Sequence, residues 1–127
     1  MLRDAQVKFT RELTGTLTIQ TVTSAAIIVS GDSYSEPVAL TPDEIVDGWE
    51  PLPIADLTEA HFEDLLSRSP ELVILGTGAS SQFPPRELVF AFARRGVGLE
   101  TMDTPAAART FNVLATEGRQ VAAVLYL

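Results

Sequence analysis

Leu72-Val73-Ile74-Leu75-Gly76-Thr77-Gly78 decides the fold. Its first four residues are apolar without alternation, so both faces of this strand need covering, as at the centre of an α/β sheet. Helix signals flank it on both sides. Upstream, Thr58 caps a stripe of Phe62, Leu65 and Leu66 that Ser69-Pro70 ends. Downstream, Pro84-Pro85 starts a helix with Leu88, Val89 and Phe92 inward and Gly96 as its stop. Val97–Met102 reads as the next strand. Thr104-Pro105 caps and starts a third helix that buries Ala107, Phe111, Leu114 and Ala115 and ends at Gly118; Val121–Leu127 then closes the sheet. Everything beyond Asp56 is therefore αβαβαβ. Helical crossovers between neighbouring strands imply parallel pairing and a right-handed connection. Ala106-Ala107-Ala108 lets the third helix approach its neighbours closely.

Before Asp56 strand signals dominate. Thr16–Val22 alternates, with Leu17 and Ile19 on one face and Thr16, Thr18 and Gln20 on the other. Ala25–Val29 is a more continuous apolar strand, closed by the turn signal Ser30-Gly31-Asp32-Ser33. Tyr34–Leu40 reads as the return strand, with Pro37 pushing it toward an edge or a bulge. Thr41-Pro42-Asp43-Glu44 has capping-box spacing with proline at the first helical position, and reads as one helical turn leading to Trp49. These strands lack helical crossovers and should be mostly antiparallel. The expectation is one α/β (α+β) domain over 1–127, a mixed sheet with helices packed on it.

The chain has 127 residues, enough to bury its own core. It has no cysteine, which removes disulfides, thiolate metal sites and thiol nucleophiles together. With a single histidine, His61, no zinc site is expected, and no cofactor is implied. Met1-Leu2-Arg3-Asp4-Ala5-Gln6 has no apolar stretch behind its charge, so no signal peptide is expected. The apolar runs fall far short of the roughly 20 residues that span a bilayer. A cytoplasmic location without membrane contact is the resulting expectation. The net charge is −8, and the basic pair Arg94-Arg95 sits at a helix end, where it complements the dipole. Nucleic-acid binding, which needs a cationic surface, is excluded on that ground.

In open α/β sheets ligands bind beyond the carboxyl ends of the parallel strands. Two loops qualify: Gly76–Pro84, and Asp103-Thr104 after the strand ending Glu100-Thr101-Met102. If those strands are neighbours, Gly76, Thr77, Gly78, Ser80, Glu100, Asp103 and Thr104 share one rim. Phe83, in a Pro-flanked loop, is the candidate exposed anchor, while Trp49 reads either as core or as a partner contact. Gly76-x-Gly78-x-x-Ser81 approaches the dinucleotide fingerprint, with Glu100 near the place of a ribose-binding acid. Ser81 replaces the third glycine, however, and the helix starts late at Pro85. A tight turn with positive φ at one or both glycines is the simpler reading. Glu100 and Asp103 read as a carboxylate pair, or as a rim charge and a turn residue before the Thr104 cap. His61, in the first turn of its helix, reads as structural or exposed. Ser80-Ser81 lacks a nucleophile elbow and a histidine partner. Arg109 points away from the buried stripe of its helix and reads as a solvated charge.

Val73-Ile74-Leu75-Gly76-Thr77-Gly78, Gly98-Leu99-Glu100-Thr101-Met102-Asp103-Thr104, Thr110-Phe111-Asn112-Val113-Leu114 and Glu117-Gly118-Arg119 together resemble one family. It comprises small domains of uncharacterised function in bacteria and archaea. It also includes the adipogenesis-associated domain protein of animals and the third assembly factor of mitochondrial respiratory complex I. The resemblance spans essentially the whole chain. It implies a three-layer fold, an antiparallel sheet joined to a few turns of β/α superhelix, and a role in protein assembly for at least one eukaryotic branch. It carries over no catalytic residues. Phe111 stands where many members have tyrosine, and Ala108 where many bacterial ones have cysteine.

Two functions are therefore expected. The first is a non-enzymatic interaction or assembly module that meets an unidentified protein partner through the 76–84 loop and its rim. The alternative is small-ligand binding or catalysis at Gly76-Thr77-Gly78 with Glu100. An inert oligomeric scaffold is a third.

Overall fold

A computed structural model describes residues 16–127. The expectation for Met1–Gln6 lies outside the described residues. Strands β1 (Ile19–Val22), β2 (Ile27–Val29) and β3 (Asp32–Tyr34) form an antiparallel sheet in that order. Its second hairpin turns at Ser30 and Gly31, both at positive φ, which suits the right-handed twist of the strands. A second sheet holds β4 (Val38–Leu40), β5 (Ile45–Val46), β6 (Leu72–Thr77), β7 (Gly98–Met102) and β8 (Val121–Tyr126), in the order β5-β4-β8-β6-β7. β6 is parallel to both β7 and β8, whereas β4 is antiparallel to β8 and β5. The sheet is mixed, as the alternation of signals requires.

Val73, Ile74 and Leu75 are fully buried, and so are Ala122, Ala123, Val124 and Leu125 in β8. Each face of this central pair has its own core. On one face Ile74, Ala123 and Leu125 pack against β1, β2 and helix α3 (Thr104–Thr116, numbered in chain order), through Ile27, Ala107 and Phe111. On the other, Val73, Leu75 and Val124 meet Phe62, Leu65, Leu88 and Phe92. Those four come from the 3-10 turn Glu59–Phe62, helix α1 (Glu63–Leu66) and helix α2 (Arg86–Arg95). The result is a three-layer α/β domain. Phe111 and Ala108 both lie in the first core. β1 is also tied to α3 by Asn112, whose side-chain amide donates to the Ile19 carbonyl and accepts its N–H, both at 2.9 Å. It thereby stands in for a neighbouring strand.

Several local expectations are corrected. Tyr34–Leu40 is not one strand: it breaks at Ser35-Glu36-Pro37, and its two pieces belong to different sheets. Proline offers no N–H to continue a ladder, so the chain leaves the first sheet there. Thr41-Pro42-Asp43-Glu44 is no helical turn but the tip of the β4–β5 hairpin, closed by Thr41 N–H to Glu44 carbonyl at 2.9 Å. The Thr41 hydroxyl accepts from the Asp43 N–H as a cap would, yet Ile45-Val46 then returns as strand. α2 starts at Arg86 behind an extended Pro85; Val89 faces outward, and Ala91 is buried beside Leu88 and Phe92 instead. The cap of α3 is Asp103, whose carboxylate accepts the Ala106 N–H at 2.8 Å, and Thr104 is the first helical residue.

Candidate functional site

The rim is built where β6 and β8 end and α3 begins. An ideal Cβ on Gly76 would stand 2.9 Å from Thr104 Oγ1 and 3.1 Å from both Ala107 Cβ and Leu125 Cδ2. Glycine therefore serves here to let α3 approach the sheet. Thr104 joins three segments: its hydroxyl accepts the Gly78 N–H at 2.8 Å and donates to the Tyr126 carbonyl, while its N–H donates to the Gly78 carbonyl. Thr77 holds the loop from the other side. Its hydroxyl donates to the Ser80 carbonyl at 2.7 Å and accepts the Gln82 N–H at 3.1 Å; Gln82 Nε2 in turn donates to the Thr77 carbonyl. Of the two glycines only Gly78 takes positive φ, at 98°.

This wiring uses the groups a phosphate would need. The Gly78 and Gln82 amides already have internal acceptors, and α2 begins only at Arg86. The glycine pattern is thus the signature of a tight, closely packed turn. Gly76, Thr77 and Thr104 are buried, while Ser80 and Phe83 are exposed and Asp103 is half-buried with its carboxylate engaged as the cap. Glu100 is corrected in position. It pairs with Ile74, two residues short of Gly76↔Met102, on the exposed outer strand. Among the described residues no ion pair or hydrogen bond joins Glu100 to Asp103 or to the glycine turn.

A groove of about 250 Å³ opens beside this turn, between the β1–β2 turn (Thr23, Ser24) and Gly78-Ala79, with Pro105 and Tyr126 in its wall. No charged side chain lines it. Four distant segments meet to make it, and no local pattern in the sequence marked it. A second cavity of about 370 Å³ lies at the opposite end of the sheet, near Glu44, Arg68, Arg119 and Gln120. Both of its arginines are paired: Arg68 meets Glu44 at 2.9 Å and Arg119 meets Glu71 at 3.0 Å, while Asp43 also lines the cavity. The Arg68 guanidinium holds the Glu44 carboxyl below its ordinary range; for Glu71 the Gln120 N–H does so first and Arg119 second. Both carboxylates therefore stabilise the fold above their unfolded pKa and lose that contribution as the pH falls through the depressed one. Being exposed, they contribute little and are screened by salt.

The two candidate aromatics differ in their surroundings. Trp49 packs edge-on against Phe62 at 5.0 Å, and Phe62 against Phe92 at 5.2 Å. Its indole N–H donates to the Tyr126 hydroxyl, which donates to the Leu52 carbonyl at 2.6 Å. Burial raises the Tyr126 pKa. Trp49 therefore belongs to the core margin. Phe83 is 95% exposed. His61 is a capping residue: its Nδ1 accepts the Thr58 N–H at 3.0 Å, which leaves the proton of the neutral ring on Nε2.

Residues 19–126 match the family described as protein of unknown function, DUF498/DUF598. The chain belongs to that family. Among similar proteins, the human NADH dehydrogenase [ubiquinone] 1 alpha subcomplex assembly factor 3 is 33% identical over 91% of this chain and 63% of its own length. The chain spans about three-fifths of the length of the curated assembly factors it matches. A Francisella tularensis protein named 13 kDa major membrane protein is 25% identical, over 77% of this chain and 80% of that one. A crystal structure from Bordetella parapertussis superposes with a TM-score of 0.81 at 33% identity, covering 88% of this chain and 96% of that one. The DUF498/DUF598 assignment and this likeness agree with the three-layer fold described above.

Proposed function

We propose that this domain is a non-enzymatic assembly module that binds a protein partner through the 76–84 loop, with Phe83 as its anchor. The observation that carries this reading is the exposure of Phe83 on a loop that is already internally bonded. Pro84 and Pro85 follow it, and Pro85 is extended, at φ −57° and ψ 144°. An aromatic held out by a rigid support loses little entropy on docking, which is how interface hot spots are built. Assembly is the class of role printed in the name of the human relative. For this chain the partner would belong to the same class, a component of a multi-subunit complex that is still being put together. Its location would be the cytoplasm. Among the described residues no helix is long and apolar enough to cross a membrane.

The test is Phe83→Ala in the source cell, with the tagged full chain isolated from soluble and membrane fractions. Binding of a specific partner should weaken by about 2 kcal/mol or more, roughly 30-fold, with unchanged melting temperature. Undiminished partner recovery would end this reading of the loop, and recovery mainly with membranes would end the cytoplasmic placement. A second reading, binding of a small apolar ligand, is favoured by the uncharged groove beside Gly78. There a ligand at 100 times its Kd should raise stability by about 2.7 kcal/mol. A thermal-shift screen of small apolar acids and neutral apolar compounds with no stabilisation would eliminate it.

A further inference from the structure

Helix α2 has two faces. Leu88, Ala91 and Phe92 are turned into the core. The opposite face carries Arg86, Val89, Phe90, Ala93 and Arg94 at positions i, i+3, i+4, i+7 and i+8, so these five share one side of the helix. Val89 is 43% exposed and Phe90 52% exposed, two of the four large apolar side chains that stand out among the described residues. The face therefore has an apolar centre with an arginine at each end.

Among the described residues these two arginines, like Arg109 on α3, have no ion-pair partner. Arg68, Arg95 and Arg119 each meet an internal carboxylate. Arg86 and Arg94 meet none among the described residues, although the chain carries a net charge of −8. Arg94, in the last turn, complements the helix dipole. Arg86 is the first residue of the helix, where the dipole opposes a cation. Glu87 lies about 100° round the helix from Arg86 but within about 20° of Arg94, so one exposed carboxylate borders this face beside Arg86.

We infer that this face docks an acidic, amphipathic helix of a different protein, with apolar residues over Val89 and Phe90 and carboxylates at both ends. The inference rests on the assembly reading and names the chemistry of the partner. Eight residues separate the arginines, so the partner's carboxylates should stand about 12 Å apart. A second copy of this chain fits poorly. An antiparallel pairing of α2 with itself about a two-fold axis sets Arg86 against Arg94 at both ends, between two molecules that already repel. An anionic bilayer is disfavoured by the same net charge.

A photo-crosslinking residue is placed at position 90 of the full chain in the source cell, and the trapped segment is sequenced. A second variant carries the crosslinker at position 83. The expected adduct from position 90 is a segment of another protein with apolar residues at helical spacing and Asp or Glu about eight positions apart. Arg86→Glu with Arg94→Glu should lower its yield at least about tenfold without moving the melting temperature, and exchanging the partner's acids for lysine should restore it. An adduct with a second copy, with lipid or with a segment lacking acids would overturn the inference, as would a yield indifferent to charge reversal. A protein adduct from position 83 alone removes this face and leaves the assembly reading standing. No protein adduct from either position removes both.

Discussion

Thr104→Val should cost the domain about 3 kcal/mol and lower its melting temperature by about 10 °C, while Thr104→Ser costs about 1 kcal/mol. Valine keeps the shape of threonine and its methyl packing. What it loses is a hydroxyl that accepts the Gly78 N–H and donates to the Tyr126 carbonyl, at a side chain only 1% exposed. Two backbone groups then lose their partner, at roughly 1–3 kcal/mol each where water cannot replace it. Serine retains both bonds, so the pair of variants isolates the hydroxyl. Chemical denaturation of the three proteins measures it. If valine and serine were equally harmful, methyl packing rather than hydrogen bonding would be the cause. If valine were neutral or stabilising, the hydroxyl would serve a ligand instead, since site residues are commonly held at the expense of stability.

How much of this was readable in the chain depends on how local each feature is. Leu72–Leu75 announced a central strand because burial on both faces leaves no polar positions. Gly96 and Gly118 announced helix ends because a left-handed residue is needed there, and both take positive φ. Strand order is a different matter. Val121–Leu127 comes last in the chain, but β8 lies between β4 and β6, near the centre of the sheet. The break at Pro37 was hidden for the same reason: Tyr34–Leu40 reads as one strand in sequence, and membership of two sheets is set by distant partners. Thr41-Pro42-Asp43-Glu44 satisfies a helix cap and a hairpin tip alike, and only the pairing of Ile45-Val46 with β4 separates them.

At the rim, residue types were legible and their roles were not. Gly76-Thr77-Gly78 stood out in sequence, yet its long-range bonds run to Met102 and Thr104, more than 20 positions away. A phosphate loop and an internally bonded turn use the same glycines, and the difference lies in where the amides point. Phe83 could be singled out because prolines on its C-terminal side prevent the loop from folding back into regular structure. The outer face of α2 could not. Leu88 and Phe92 make an apolar stripe with either Val89 or Ala91, and only packing against the sheet puts Ala91 inward and turns Val89 to solvent.

Gly76→Ala should destabilise by about 1–2 kcal/mol, a packing cost of ~1–3 kcal/mol less the ~0.5–1 kcal/mol that alanine gains by restricting the unfolded chain. Gly76 does not occupy the left-handed region, so its backbone accepts alanine without strain. The obstacle is space. The new methyl would meet Thr104 Oγ1 at 2.9 Å, with Ala107 Cβ and Leu125 Cδ2 at 3.1 Å. Neither Thr104 nor Leu125 can swing away, because one is bonded to two segments and the other is fully buried. α3 must therefore retreat by a few tenths of an ångström and stretch the Thr104 bonds with it. Ala107→Gly opens room at one of the three contacts but costs about 1 kcal/mol in helix propensity. The double variant should accordingly be less unstable than the sum of the singles, by about 0.5–1 kcal/mol. Strict additivity would show that the helix does not press on Gly76. A Gly76→Ala protein of unchanged stability that had lost its partner would instead make this glycine part of the binding surface, and Thr104 would have to be reconsidered with it.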